Sequence, residues 1–94
     1  MTIEVHTAAD PGGDGWHCTV RVTDGRGATE HAVRVRPADV ERLAPGASDP
    51  TDLVRRSFEF MLEREPKESI LQTFDLPVIG RYFPEYEATI RSRV

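Results

Sequence analysis

The sequence predicts an α+β fold: a three-stranded antiparallel meander followed by one main helix and two or three short C-terminal helices. Two observations predict this arrangement. Polar and apolar residues alternate in most of the first 36 residues, whereas apolar residues recur at three- and four-residue intervals in the second half. We expect the 94 residues to form a single domain, with the meander in residues 1–36 and the helical part in residues 37–94.

The first strand is predicted from the alternating stretch "TIEVHT" at residues 2–7, which places Ile3 and Val5 on one face. The next stretch, "AADPGGDG", consists largely of turn-forming residues and has no hydrophobic period. We therefore predict a loop between this strand and the next.

A β-hairpin is the best defined element of the sequence. The alternating stretches "GWHCTVRVTD" and "ATEHAVRVR" flank "DGRG", a composition typical of a tight hairpin turn. With Gly25 and Arg26 at the tip, residues whose numbers add up to 51 face each other. Cys18 then lies opposite Val33 on the inner face, and the Arg21–Glu30 pair of opposite charges lies on the outer face. Hydrophobic and charge matching thus indicate the same register.

The main helix is predicted over residues 50–65, with Asp49 as the N-cap and Pro66 at its end. Its apolar residues are unusually widely spread. At about 100° per residue, Phe58 and Phe60 point roughly 200° apart, whereas a helix on one sheet needs an apolar stripe little more than about 100° wide. We expect Phe58 to face the sheet and Phe60 to face either the C-terminal helices or a second subunit.

Shorter helical elements are predicted on both sides of the main helix. "PADVERL" gives a turn or two of helix beginning at Pro37, and "PKESILQTF" has Ile70, Leu71 and Phe74 at helical spacing. "DLPVIGRYFPEY" predicts another short helical stretch that ends at Pro84. The tail "EATIRSRV" is too weakly patterned to assign.

No catalytic, cofactor-binding or metal site is predicted. His17 and Cys18 are adjacent on a strand and point to opposite faces, and no pair of ligands has the spacing of a zinc motif. Glu59 and Glu63 are interpreted as part of a solvated helix face, and no serine or cysteine lies in a nucleophile motif. We therefore expect a protein that is not an enzyme and needs no cofactor.

The candidate interaction surface is aromatic. Arg64 projects into the apolar arc of the main helix, so we expect it either to extend its charge to solvent at the helix end or to pair with Glu68 or Asp75. The predicted interaction surface combines this arginine with aromatic residues of the main helix and of the C-terminal segment. Its five residues are Phe60, Arg64, Tyr82, Phe83 and Tyr86.

Charge and hydropathy limit the partners that we expect. The formal net charge of -4 argues against a dedicated nucleic-acid binder, since phosphate neutralisation needs a clustered positive surface. No apolar run approaches the roughly 20 residues of a membrane span, and the N-terminus lacks the pattern of a signal peptide. With its single cysteine, the chain is expected in the cytoplasm.

The segment "LVRRSFEFMLEREPKESILQTFDLPVIGRYFPEY", residues 53–86, resembles a family of small, uncharacterised bacterial proteins. The resemblance lies in the elements S-F-E-F, L-E-R-E-P, S-I-L and R-Y-F-P-E-Y and implies no particular activity. The order of a strand meander followed by a helix is also similar to HicB-like antitoxins, although only at the level of the fold.

Two functions are therefore considered. The first is a non-enzymatic interaction or regulatory module that self-associates or binds a protein partner through the main helix and the aromatic C-terminal segment. The alternative is a DNA-associated, antitoxin-like transcriptional regulator, which a basic patch formed by Arg81, Arg91 and Arg93 would favour.

Overall fold

Four strands form one sheet in the order β1-β2-β3-β4, with the helices on one of its faces. The computed structural model describes residues Met1–Val94. No helix in it is both long enough and apolar enough to span a bilayer. The elements, in chain order, are β1 (Thr2–Ala9), β2 (Trp16–Asp24), β3 (Gly27–Val35), α1 (Pro37–Leu43), α2 (Thr51–Leu62), a 3-10 turn (Lys67–Ser69), β4 (Thr73–Asp75), a second 3-10 turn (Leu76–Val78), α3 (Ile79–Tyr82) and α4 (Tyr86–Arg93).

The predicted α+β class is confirmed, and β1, β2 and β3 form the predicted antiparallel meander, but the sheet is mixed and contains a fourth strand that was not predicted. β1 pairs with β2 and β2 with β3 in antiparallel fashion, whereas β3 and β4 are parallel. The hairpin has the predicted register, with Cys18 opposite Val33. On the outer face, Arg21 Nη1 donates to Glu30 Oε1 over 2.8 Å.

β1 is longer than predicted because its pairing with β2 continues to Ala9 opposite Trp16. The loop that joins the two strands ends at Gly15, where φ is 104°. A Cβ atom at this position would collide with the carbonyl oxygen of Val35. Only glycine allows the chain to enter β2 this close to the end of β3.

The hydrophobic core lies between the inner face of the sheet and α2. Phe58 is fully buried there, and its ring centroid lies 5.3 Å from that of His31 and 6.1 Å from that of Phe74. The predicted orientation of Phe58 toward the sheet is confirmed. The buried apolar residues of the strands are alternate positions, namely Cys18, Val20, Val22, Val33, Val35 and Phe74.

α2 is shorter than the predicted range of 50–65. The Asp49 carboxylate accepts a hydrogen bond from the Thr51 N–H over 2.8 Å, although Pro50 occupies the N-cap position itself. At the other end, the Glu65 N–H still bonds to the Met61 carbonyl oxygen over 2.9 Å in the turn beyond the helix. The chain therefore leaves α2 about one turn before Pro66.

The helix predicted for "PKESILQTF" is wrong, since only its first residues form a 3-10 turn and the rest is extended. His31 and Ala32 of β3 explain the difference. The Ala32 N–H donates to the Gln72 carbonyl oxygen over 2.7 Å, and His31 Nδ1 donates to the Leu71 carbonyl oxygen over 2.8 Å. These contacts bring the segment to the edge of β3, and the backbone continues there as β4.

Lys67 ties this connection to the tip of the hairpin. Although it is a lysine, it is buried, and its ammonium group donates to Asp24 Oδ2 over 2.9 Å and to Glu68 Oε2 over 2.5 Å. Both hydrogen bonds raise the pKa of Lys67, and the bond to Glu68 has the larger effect. The same contacts lower the pKa of both carboxyls, so all three groups stay charged near neutral pH.

The C-terminal segment covers the second apolar side of α2. Phe60 is 0% exposed, and its ring contacts Phe83 and Tyr86 edge-on, with centroid distances of 5.8 and 5.4 Å. The short helix predicted before Pro84 is present as α3, and the tail left unassigned forms α4. Of the two covers considered for Phe60, the structure contains the one supplied by the same chain.

A buried hydroxyl pair joins α2 to α4. Ser57 Oγ donates to the Leu53 carbonyl oxygen over 2.7 Å and lies 2.7 Å from the Tyr86 hydroxyl. Because the single proton of the serine is already donated to a carbonyl, the tyrosine is the donor in the second bond. Burial raises the pKa of Tyr86, so the hydroxyl keeps its proton in the folded state.

This assignment of donors predicts unequal effects of two substitutions. Ser57→Ala leaves the buried Tyr86 hydroxyl without an acceptor and is expected to lower the free energy of unfolding by about 1 to 3 kcal/mol, whereas Tyr86→Phe lowers it by about 1 kcal/mol. Urea unfolding followed by Trp16 fluorescence measures both. A larger loss in Tyr86→Phe than in Ser57→Ala would contradict the assignment.

Candidate interaction site

The residues predicted to form an interaction surface do not share one surface. Phe60 and Tyr86 are both 0% exposed and belong to the core. Phe83 is half-buried against that core, and Arg64 lies over it. Of the five residues, Tyr82 projects furthest into solvent, at 64% exposed.

Arg64 covers the Phe60 ring at the edge of the core and does not simply extend its charge into solvent. Its guanidinium carbon lies 3.6 Å from the centroid of the Phe60 ring, and Nη1 donates to the Phe60 carbonyl oxygen over 3.0 Å. Its acidic partners are Glu63, at 3.1 Å, and Glu85, at 3.7 Å. The expected pairing with Glu68 or Asp75 is wrong, because those acids pair with Lys67 and Arg36. A stacked guanidinium shields the ring while its edges stay hydrogen-bonded.

An apolar groove lies beside Tyr82, between the end of α2, the extended segment that leads into β4, and α3. Its volume is about 120 Å³. Eight of the ten residues that line it are hydrophobic, and we call it the Leu71–Tyr82 groove after its two exposed hydrophobic side chains. The lining residues are Met61, Glu65, Ser69, Ile70, Leu71, Phe74, Val78, Ile79, Tyr82 and Phe83.

The exposure of Leu71 follows from the strand that replaces the predicted helix. At helical spacing, Ile70, Leu71 and Phe74 would lie on one face and be buried together. In the extended segment, Ile70 and Phe74 are buried, whereas Leu71 is 46% exposed. The groove therefore arises from an element that sequence periodicity assigns incorrectly, and no local pattern reveals it.

Glu65 is the acidic residue of the groove. It is half-buried, and desolvation raises the pKa of its carboxyl. None of the ion pairs or side-chain hydrogen bonds of the chain involves this carboxylate, in contrast to its neighbours Glu63 and Glu68. The groove thus presents an apolar lining with one negative charge that lacks a basic partner.

The three arginines of the DNA-binding alternative lie at different sites. Arg81 borders a cleft beside Arg34 and Arg36 that also contains two aspartates. Arg91 borders another cleft beside Leu53 and Val94, and Arg93 makes two hydrogen bonds to the Glu63 carboxylate, of 3.1 and 3.0 Å. Since Arg93 is neutralised by an acid, these residues do not combine into one positive surface.

The polar residues considered as metal ligands have other surroundings. His31 is buried and bonded through both ring nitrogens, to Thr29 and to the Leu71 carbonyl oxygen. His17 lies 3.8 Å from Asp10 on the exposed face of the sheet, while Cys18 lies in the core. No group of three or more His, Cys, Asp or Glu side chains is arranged to hold a metal ion.

Comparisons of the chain with protein-family models, curated proteins and solved structures found no match. The resemblance of residues 53–86 to a family of small bacterial proteins, and the looser one to HicB-like antitoxins, stay predictions.

The position of Glu65 predicts a gain in stability when its charge is removed. Folding raises the pKa of the Glu65 carboxyl above its value in the unfolded chain, which is about 4.3. The contribution of this carboxyl to stability is therefore most favourable below about pH 4.3 and is lost as the pH rises through the pKa of the folded state. Glu65→Gln should therefore increase the free energy of unfolding at pH 7, relative to wild type, and leave it nearly unchanged at pH 3.

Urea unfolding at the two pH values tests this expectation, with Glu59→Gln, an exposed position on α2, as the matched control. A Glu65→Gln variant that is no more stable than wild type at pH 7 would show that the carboxylate is adequately solvated or paired in the folded protein.

Proposed function

We propose that this protein is a non-enzymatic interaction module that binds a segment of a protein partner in the Leu71–Tyr82 groove. One observation supports this proposal above the others: two of the four large hydrophobic residues with exposed side chains, Leu71 and Tyr82, border the same apolar groove. Apolar side chains gathered around a concave site on an otherwise polar surface are typical of binding sites.

The volume of the groove suits one bulky side chain. An apolar protein cavity of about 150 Å³ holds a benzene molecule, so about 120 Å³ accommodates a branched aliphatic group or much of an aromatic ring. The lining includes Tyr82, Phe83 and Leu71, so an inserted ring would have aromatic and aliphatic contacts.

Glu65 specifies the charge of the partner segment. A basic residue next to the inserted apolar side chain would pair with this carboxylate and offset the free-energy penalty of its desolvation. The net charge of -4 would also favour the approach of a basic segment over long distances. The proposed occupant is therefore a partner segment that contains a bulky apolar residue followed by Lys or Arg.

Binding of this kind is expected to be weak and reversible. A groove that accepts one side chain buries far less surface than a standard protein–protein interface, which buries about 1,600 Å². Dissociation constants near about 1 mM, equivalent to about -4 kcal/mol, are expected for a short peptide. A longer partner would add contacts around the rim without changing the central recognition.

A pair of capped peptides tests this proposal: Ala-Phe-Arg-Ala and the matched Ala-Phe-Glu-Ala. In methyl NMR titrations, the arginine peptide should shift the signals of Ile70, Leu71, Val78 and Ile79 saturably. The glutamate peptide should bind about fivefold more weakly, because a solvent-accessible ion pair contributes up to about 1 kcal/mol. Glu65→Gln should remove the difference between the two peptides, whereas Glu59→Gln should preserve it.

Two results would contradict the proposal. One is the absence of saturable shifts in the groove methyl groups with either peptide. The other is an unchanged affinity in Leu71→Ser and Tyr82→Ser, variants that remove the exposed apolar border without altering the core.

A further inference from the structure

The sheet has one long unpaired edge. β1 has eight residues and pairs with β2 alone, whereas the opposite edge is the three-residue strand β4. A free strand edge exposes a row of N–H and C=O groups that can pair with another strand. β1 contains no proline, glycine or lysine, and its pairing runs without a bulge from Thr2 to Ala9, so apart from the charge of Glu4 it lacks the usual features that prevent such pairing.

The hairpin register identifies the free backbone groups. In a two-residue hairpin the closing pair, here Asp24 and Gly27, is hydrogen-bonded, and the pairs then alternate along the strands. β2 therefore bonds to β1 through Thr23 and every second residue back to His17. Their partners on β1 are the even-numbered residues. The N–H and C=O groups that point away from the sheet belong to Ile3, Val5, Thr7 and Ala9, and none of them has a partner among the loop and turn hydrogen bonds.

We propose that β1 pairs antiparallel with β1 of a second copy of this chain, around a two-fold axis at Val5. The interaction is self-complementary, because a two-fold axis brings the same strand to both sides. In this register Ile3 lies opposite the partner's Thr7 and Val5 opposite the partner's Val5. These pairs use the outward-facing backbone groups of both strands.

The outer-face side chains distinguish this register from its neighbours. The apolar residues of both β1 strands must lie on the same face of the combined sheet. The two-fold axis must therefore pass through a residue position and cannot lie between two residues. An axis at Glu4 would place two glutamates opposite each other, and an axis at His6 would place two histidines opposite each other. An axis at Val5 places Glu4 opposite the partner's His6, twice, in the non-hydrogen-bonded pairs where side chains are closest.

The intramolecular contacts leave both side chains available for this pairing. Glu4 lies across from Arg21 on β2, but the Arg21 guanidinium is bonded to Glu30. His6 lies across from Thr19, and Glu4 and His6 are both exposed. On the inner face, Ile3 and Val5 are only half-buried in the single chain, so pairing would extend the hydrophobic core across the two copies.

The edge contact involves none of the residues of the Leu71–Tyr82 groove, so the two proposals are independent. It would convert two four-stranded sheets into one eight-stranded sheet with both helical layers on the same side. The groove would remain accessible in each copy.

Sedimentation equilibrium of charge variants tests the register. Wild type should dimerise in a concentration-dependent manner. Glu4→Lys places lysine opposite histidine, and His6→Glu places glutamate opposite glutamate, so each variant alone should have a dissociation constant about tenfold higher than wild type. An equimolar mixture places the introduced lysine of one variant opposite the introduced glutamate of the other, which should restore dimerisation through a heterodimer.

A wild type that stays monomeric at the highest accessible concentration would overturn this inference, as would a mixture no more dimeric than its components. Val5→Pro gives a second test that does not depend on charge: the N–H of Val5 points outward, so proline should abolish the dimer while the thermal unfolding transition of the monomer is retained. Loss of the dimer in Tyr82→Ser but not in Val5→Pro would place the interface at the groove instead.

Discussion

The structure depends on the burial of Phe60. α2 has apolar side chains on two sides, and one sheet can cover only the side that contains Phe58. The other side is closed by Phe83 and Tyr86, which meet the Phe60 ring edge-on, and by the guanidinium of Arg64. A chain this short gains most of its stability from one core, so the C-terminal segment is a necessary part of that core.

The position of the C-terminal segment also determines the surface features. The chain must return from the end of α2 to the far side of Phe60, and it does so along the free edge of β3, where His31 and Ala32 bind two of its carbonyl groups. That path exposes Leu71 and leaves the apolar groove beside Tyr82. It also covers one edge of the sheet and leaves β1 as the open edge.

Sequence reasoning predicts the elements whose determinants are local. The hairpin register follows from a two-residue turn and from neighbouring pairs such as Arg21 and Glu30. β4 is not predictable in this way, because its hydrogen-bonding partners lie about 40 residues earlier in the chain and replace the helical bonds that the spacing of Ile70 and Phe74 favours. α4 buries only Tyr86 and Ile90, too few residues for a recognisable period.

Native-state amide hydrogen exchange tests most directly whether the burial of Phe60 makes the C-terminal segment unfold cooperatively with the rest of the core. If α4 is an integral part of the core, the amide of Ile90 should exchange through global unfolding, with the same free energy and the same dependence on denaturant as the amides in the middle of α2. Exchange of the α4 amides at nearly unprotected rates, while α2 stays fully protected, would contradict this conclusion.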